Sequence, residues 1–245
     1  MELIGAGKIG EALRMRAEEA GQPVRVHRRG WRPGDLATGP LLVLTRNDDL
    51  ESVAAALPSE RLADLVLMQN GALYHWCRQR APDATRGLLH LAVPARGDRG
   101  RPSGDTVLTG THADAVARWL TAIGVPASTV PASQFRQIEL EKLVWNTTFG
   151  LLCDVYAMSV GEVLEHHTAS AEGLLMELAE VGARGLGLDR VPDGLLDKVR
   201  HETRRIYSYR ASVKDWPWRN GWFIKLAREQ GCALPNHERL AALRR

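Results

Sequence analysis

The segment Gly5-Ala6-Gly7-Lys8-Ile9-Gly10 has the residue types and spacing of a phosphate cradle. It follows a short strand-forming stretch and opens a helical one. The first glycine permits a tight turn, the second lets a pyrophosphate approach the backbone, and the third lets helix and strand pack closely. Helix N-terminal amides then face the anion. An acidic residue at the end of the second strand would bind ribose hydroxyls, but Arg28-Arg29 stand there, and guanidinium groups suit a 2′-phosphate. Arg46, closing the apolar run Leu41 to Thr45, reaches toward the same phosphate. These residues predict NADPH as the cofactor, held by the glycine segment, Arg28, Arg29 and Arg46.

Positioning such residues requires strands alternating with helices. Strands are expected at Leu3-Ile4, Val24 to His27, Leu41 to Thr45, Leu65 to Gln69, Leu88 to Val93, Thr106 to Leu108 and 125 to 130. Helices fit 8 to 20, 48 to 57 and 112 to 123. That rhythm predicts a parallel sheet covered by helices over residues 1 to 131. Between Arg29 and Leu41 the chain is too short for the helix and strand that such a fold normally carries. From residue 132 to 245 the pattern changes to long helical periods, at 134 to 149, 161 to 183, 193 to 209 and 220 to 229, with Gly231 and Pro235 as punctuation. The fold class is thus an α/β Rossmann-type domain followed by an all-α domain.

Composition narrows the partners. The 245 residues carry 32 basic and 29 acidic side chains, a net charge of +3, with no block of like charge that would mark a nucleic-acid binder. No apolar run approaches the roughly 20 residues of a membrane span. The N-terminus goes directly into the glycine segment without a basic and apolar leader, and a cytoplasmic protein is the expectation. The 3 cysteines, Cys77, Cys153 and Cys232, form no Cys-x-x-Cys pair and read as isolated thiols. No metal is expected. Only five basic residues are lysines, so a lysine in an apolar setting stands out, since burial tunes its pKa.

Four further motifs carry a resemblance: Gln69-Asn70-Gly71 after a strand, Glu141-Lys142-Leu143-Val144-Trp145-Asn146 on the first helix of the second half, Asn220-Gly221, and Gly231-Cys232-Ala233-Leu234-Pro235-Asn236. With the glycine segment, and in this order along nearly the whole chain, they resemble the ketopantoate reductase (2-dehydropantoate 2-reductase) family, in a shortened form. The resemblance implies a Rossmann domain joined to a helical domain of the 6-phosphogluconate dehydrogenase type, with substrate in the cleft between them. It implies hydride transfer from NADPH to a 2-oxo acid, and a monomer or homodimer. The family's catalytic lysine falls on Lys142, its partner asparagine on Asn146, the asparagine near nicotinamide and substrate on Asn70, and its two phosphate-binding basic positions on Arg29 and Arg46.

The chemistry of the residues is consistent with those roles. Lys142 and Asn146 are four apart and project from one helix face. A carbonyl accepting hydride develops negative charge on oxygen, which an ammonium can stabilise and then protonate. The chain also departs from the family. Gly150 stands where a second asparagine belongs, eight residues after the lysine. The family's serine-rich segment has no clean counterpart in 207 to 215, and Asp215 occupies the position of its glutamate, where it could pair with Lys142 and accept a substrate hydroxyl. Trp216, Trp218, Trp222 and Phe223 either fill core or line a larger apolar pocket. Two further readings follow: a reductase of a bulkier carbonyl or imine, and an NADP(H)-binding protein without turnover.

Other chemistry-bearing residues are set aside. Glu165-His166-His167 cannot converge on one ion from a helix, where adjacent residues point about 100° apart. His90 reads as a satisfied imidazole in a strand, and Ser208 and Ser212 lack nucleophile-elbow glycines.

Overall fold

The structure is a computed structural model that describes residues 1–244. It divides into two compact units, Met1–Phe135 and the chain from Arg136 onward. The sequence boundary at 131/132 lies four residues earlier, where the first helix of the second half begins. The unit boundary falls one turn into that helix because Phe135 is buried, with the Arg86 guanidinium 5.9 Å from its ring.

The first unit runs β1 (Glu2–Ile4), α1 (Lys8–Glu19), β2 (Arg25–His27), β3 (Leu41–Val43), α2 (Leu50–Ala56), β4 (Leu65–Leu67), α3 (Tyr74–Arg80), β5 (Thr85–Leu88), β6 (Leu91–Ala92), β7 (Arg101–Pro102), β8 (Thr106–Thr109), α4 (Ala113–Ala122) and β9 (Ala127–Thr129). The sheet order is β2-β1-β3-β4-β5-β8-β9. β3 and β4 are unbroken apolar runs buried throughout, as strands covered on both faces must be. Leu3, Leu42, Val66 and Leu108 pack in one core with Ala12, Leu13 and Ala17 of α1 and Val116 and Leu120 of α4. Among the described residues no strand lies outside β2 in the sheet, in keeping with the short connection from Arg29 to Leu41.

Two expectations for this unit change. The strand expected over 88 to 93 divides into β5, which starts at Thr85, and β6, which leaves the main sheet to pair with β7. The sheet is also not wholly parallel: β8 runs antiparallel to β5. Residues 89 to 105 contain no helix, and without a crossover of that kind the chain can return only in the opposite direction. The glycine- and arginine-rich loop of 97 to 104 is pinned from beneath. The buried Arg16 of α1 donates to the carbonyls of Arg99 and Gly100, each at 2.8 Å.

The helical unit comprises α5 (Ala132–Tyr156, begun in the first unit), α6 (Val160–His166), α7 (Thr168–Gly185), α8 (Leu195–Arg205), α9 (Asn220–Gln230) and α10 (Pro235–Leu243). The single helix expected over 161 to 183 is two. Ser159 caps α6 in a reciprocal box with Glu162, and the break falls at His167, whose ring stacks on Tyr156 at 3.6 Å. α8 stops short of the expected 209. Pro235 starts α10 rather than ending structure, since proline at the first helical position forgoes only an amide that has no intrahelical partner. α5 is tied to α8 by Trp145 Nε1 donating to Thr203 Oγ1 at 2.9 Å. No single helix among the described residues is long and apolar enough to cross a membrane, and no group of metal ligands forms among them.

Candidate active site

The glycine segment lies between β1 and α1. Gly5 has φ +118°, and a Cβ there would stand 2.9 Å from the Leu44 carbonyl carbon. A Cβ on Gly10 would stand 2.0 Å from the Gly5 oxygen, so helix and turn meet at a distance only glycine allows. Gly7 differs: nothing lies within 4 Å of the place its Cβ would take, and as N-cap of α1 it offers no side-chain cap. The space over the first turn of α1 is thus open, where helix amides attract an anion.

Beside this turn is a cleft of about 580 Å³ walled by Gly5, Gly7, Arg28, Arg29, Trp31 and Arg46, among others. The three arginines come from the ends of two strands, β2 and β3, that flank β1. Ala6 also faces the cleft, whereas Lys8, Ile9 and Gly10 do not. Lys8 Nζ instead donates to the Pro94 carbonyl at 3.3 Å. An open phosphate cradle next to clustered guanidiniums fits a phosphorylated dinucleotide. Trp31 was not singled out from sequence, because a tryptophan in a turn carries no spacing signal. Arg96 was missed too: its Nη2 reaches the Ala6 carbonyl at 3.2 Å across 90 residues.

Asn70 is not part of that cleft wall. It is exposed beyond the carboxyl end of β4, where its carbonyl accepts from Asn47 Nδ2 at 2.8 Å. Gln69 lies buried beneath, with Nε2 donating to the Val43 carbonyl at 2.9 Å. Gly71 completes the turn at φ +104°.

In the helical unit, Lys142 and Asn146 share one face of α5. Asn146 Nδ2 donates to the Lys142 carbonyl at 2.8 Å, so this amide hydrogen is engaged with its own helix. Lys142 is half-buried as a residue, but its ammonium lies deep. Burial, reinforced by the charge of Arg219, brings its pKa from 10.5 down to about 7. Asp215 is exposed and held at φ +48°, and its carboxylate lies 3.6 Å from Arg219 Nη2. Asp215 and Arg219 flank the same short turn, Trp216–Trp218, which brings this carboxylate and guanidinium together.

Gly150 sits against the backbone of the 207 to 215 segment: a Cβ there would be 3.0 Å from the Ser212 oxygen. A larger residue would require the main chain at Ser212 to shift by a few tenths of an ångström, since backbone has no rotamer with which to move aside. Of the aromatic cluster, Phe223 is fully buried core, while Trp216, Trp218 and Trp222 are half-buried.

Comparison with known proteins agrees with this architecture. Residues 134–245 match the family model of the ketopantoate reductase PanE/ApbA C terminal. No curated protein matches the chain by sequence. Among solved structures, a PanE/ApbA family ketopantoate reductase from Ralstonia eutropha JMP134 is 19% identical, with 99% of this chain and 97% of that chain covered and a TM-score of 0.75. A 2-dehydropantoate 2-reductase from Methylococcus capsulatus is 17% identical, with coverage of 99% and 94% and a TM-score of 0.77. D-mandelate dehydrogenase in complex with NADH is 15% identical, with coverage of 99% and 96% and a TM-score of 0.76. The helical half of this short chain thus matches the ketopantoate reductase PanE/ApbA C-terminal family model, and its whole length shares the fold of these structures.

Proposed function

We propose that the protein is a cytoplasmic NADPH-dependent reductase that transfers hydride to the carbonyl of a 2-oxo acid such as 2-dehydropantoate. The observation that carries this reading is Lys142, an ammonium whose pKa is brought to about 7 within the half that matches the ketopantoate reductase PanE/ApbA C-terminal family model. NADPH, when bound, supplies the hydride. Arg28, Arg29 and Arg46 hold its 2′-phosphate, and the Gly5 to Gly10 turn receives its pyrophosphate. Lys142 Nζ donates a hydrogen bond to the substrate carbonyl oxygen, stabilises the charge that develops there, and gives up a proton to form the hydroxyl. An acid with a pKa near the working pH is well matched to that transfer. Asn70 and Asn146 orient the reacting group, and Asp215 acts on the substrate side of the same chemistry.

The half-buried Trp216, Trp218 and Trp222 favour a second reading, a bulkier acid or imine as acceptor. One structural neighbour, D-mandelate dehydrogenase in complex with NADH, acts by its name on a substrate in that size range. Mixing the protein with NADPH and a panel of ketopantoate, pyruvate, benzoylformate and a cyclic imine, and following reduced-nicotinamide absorbance, separates the readings. Consumption with ketopantoate supports the first, and consumption only with benzoylformate or the imine supports the second. Tight NADPH binding without turnover on any of them makes the protein a cofactor-binding one and overturns both.

A further inference from the structure

Arg219 caps the N-terminus of α9, and none of the sequence motifs singles it out. It is 7% exposed, and its Nε is shut away from solvent with no hydrogen-bond acceptor among the described residues. The acidic group recorded against it, Asp215, approaches Nη2 only to 3.6 Å, beyond a good hydrogen bond, and is itself half exposed. A second cation, Lys142, lies near enough for the two charges to oppose each other. The buried Arg219 guanidinium and the positive end of an 11-residue helix therefore meet one loosely held carboxylate, Asp215. Buried charge is costly unless matched, and an arginine edge whose Nε has no acceptor has the geometry to take a planar anion that accepts two parallel N–H bonds.

We propose that Arg219 is the residue that binds the substrate's carboxylate, and that Asp215 serves as its loose counter-charge until that carboxylate arrives. The assignment rests on the reductase reading and deepens it: the substrate must carry a carboxylate, and neutral ketones of the same size are excluded. An incoming carboxylate along the Nε–Nη2 edge gives Nε the acceptor it lacks and displaces a contact that is already long. Asp215 is free to yield because its side chain is at the surface.

The test compares the wild type with Arg219→Met and Arg219→Lys on the accepted 2-oxo acid and on its methyl ester, and measures binding of oxamate, a non-reacting 2-oxo acid mimic, by calorimetry with NADP⁺ present. Arg219→Met is expected to weaken oxamate and raise KM for the acid by about a hundredfold, the order seen when one partner of a buried charged pair is removed. KM for the ester and the Kd of NADPH should stay within about twofold. Arg219→Lys, which keeps the charge and loses the fork, should fall between. Equal effects on acid and ester, or unchanged oxamate affinity in Arg219→Met, overturn the assignment while leaving the reductase reading intact. If no substrate turns over, the reductase reading fails, and oxamate binding alone then decides Arg219: loss in the variant upholds an anion site, and no loss, or no binding to the wild type, refutes it.

Discussion

Lys142 is the general acid of the proposed mechanism, and its protonation state also sets a penalty to folding. As general acid it must be charged, so turnover in the direction of carbonyl reduction should fall as pH rises through about 7, and the reverse oxidation should gain over the same range. Lys142→Ala should lose at least about tenfold in turnover and lose that break in the pH profile; unchanged turnover would remove the residue from the mechanism. The same shift has a stability consequence. The folded pKa of about 7 lies below the ordinary 10.5, so between those values the unfolded chain holds the proton more tightly and stability rises with pH. Below about 7 the folded protein bears the full cost of a buried ammonium. Lys142→Met should therefore be more stable than wild type at pH 6, by something on the order of a few kcal/mol. That gain should shrink toward zero by about pH 10.5, as read from urea midpoints across the range.

At the scale of elements, the turn from β1 into α1 separates fold from function within one motif. Gly10→Ala puts a methyl carbon 2.0 Å from the Gly5 oxygen, a backbone atom that cannot rotate away, so helix and turn must separate at a cost of about 3 kcal/mol or more. Gly7→Ala meets nothing within 4 Å and has an ordinary φ of −74°, so it should change stability by less than about 1 kcal/mol. If the turn receives the pyrophosphate as proposed, the added methyl would intrude on that group, and NADPH affinity should drop by about tenfold or more. Thermal melts with and without NADPH distinguish the two variants: the first melts early, and the second melts normally without the cofactor but gains less from it. A Gly7→Ala protein that binds NADPH as tightly as wild type would remove the phosphate assignment. Gly150 belongs to the same scale. Its small size lets the 207 to 215 segment lie directly on α5, so the asparagine found there in the family could not be restored without moving main chain at Ser212.

For the whole molecule, the proposed choice of NADPH rests on charges brought from separate strand ends to one cleft. Arg28, Arg29 and Arg46 wall the same 580 Å³ space, in a chain whose net charge is only +3, so the local field there owes little to the overall charge. Arg29→Asp should weaken NADPH at least about tenfold more than NADH, because it both removes a guanidinium and opposes the 2′-phosphate. Equal losses for the two cofactors, measured by fluorescence titration, would show that Arg29 does not read that phosphate.

The alternation of strands and helices, the change to helical periods near residue 132 and the glycine turn were legible in the sequence, since each depends on local periodicity or on backbone freedom at one position. The convergence of Arg28, Arg29 and Arg46 could be anticipated because all three follow strands at known offsets from that turn. The reversal of β8 against β5 was not legible, because strand direction depends on how a connection closes in space. Neither was α10, whose proline is equally at home in a helix start or a loop. Trp31 and Arg96 gained their places beside the turn from loops without any period. Arg219 is the sharpest case: an arginine next to an asparagine is unremarkable as sequence. Only burial, which depends on every neighbouring element at once, leaves its Nε without an acceptor and sets its charge against that of Lys142.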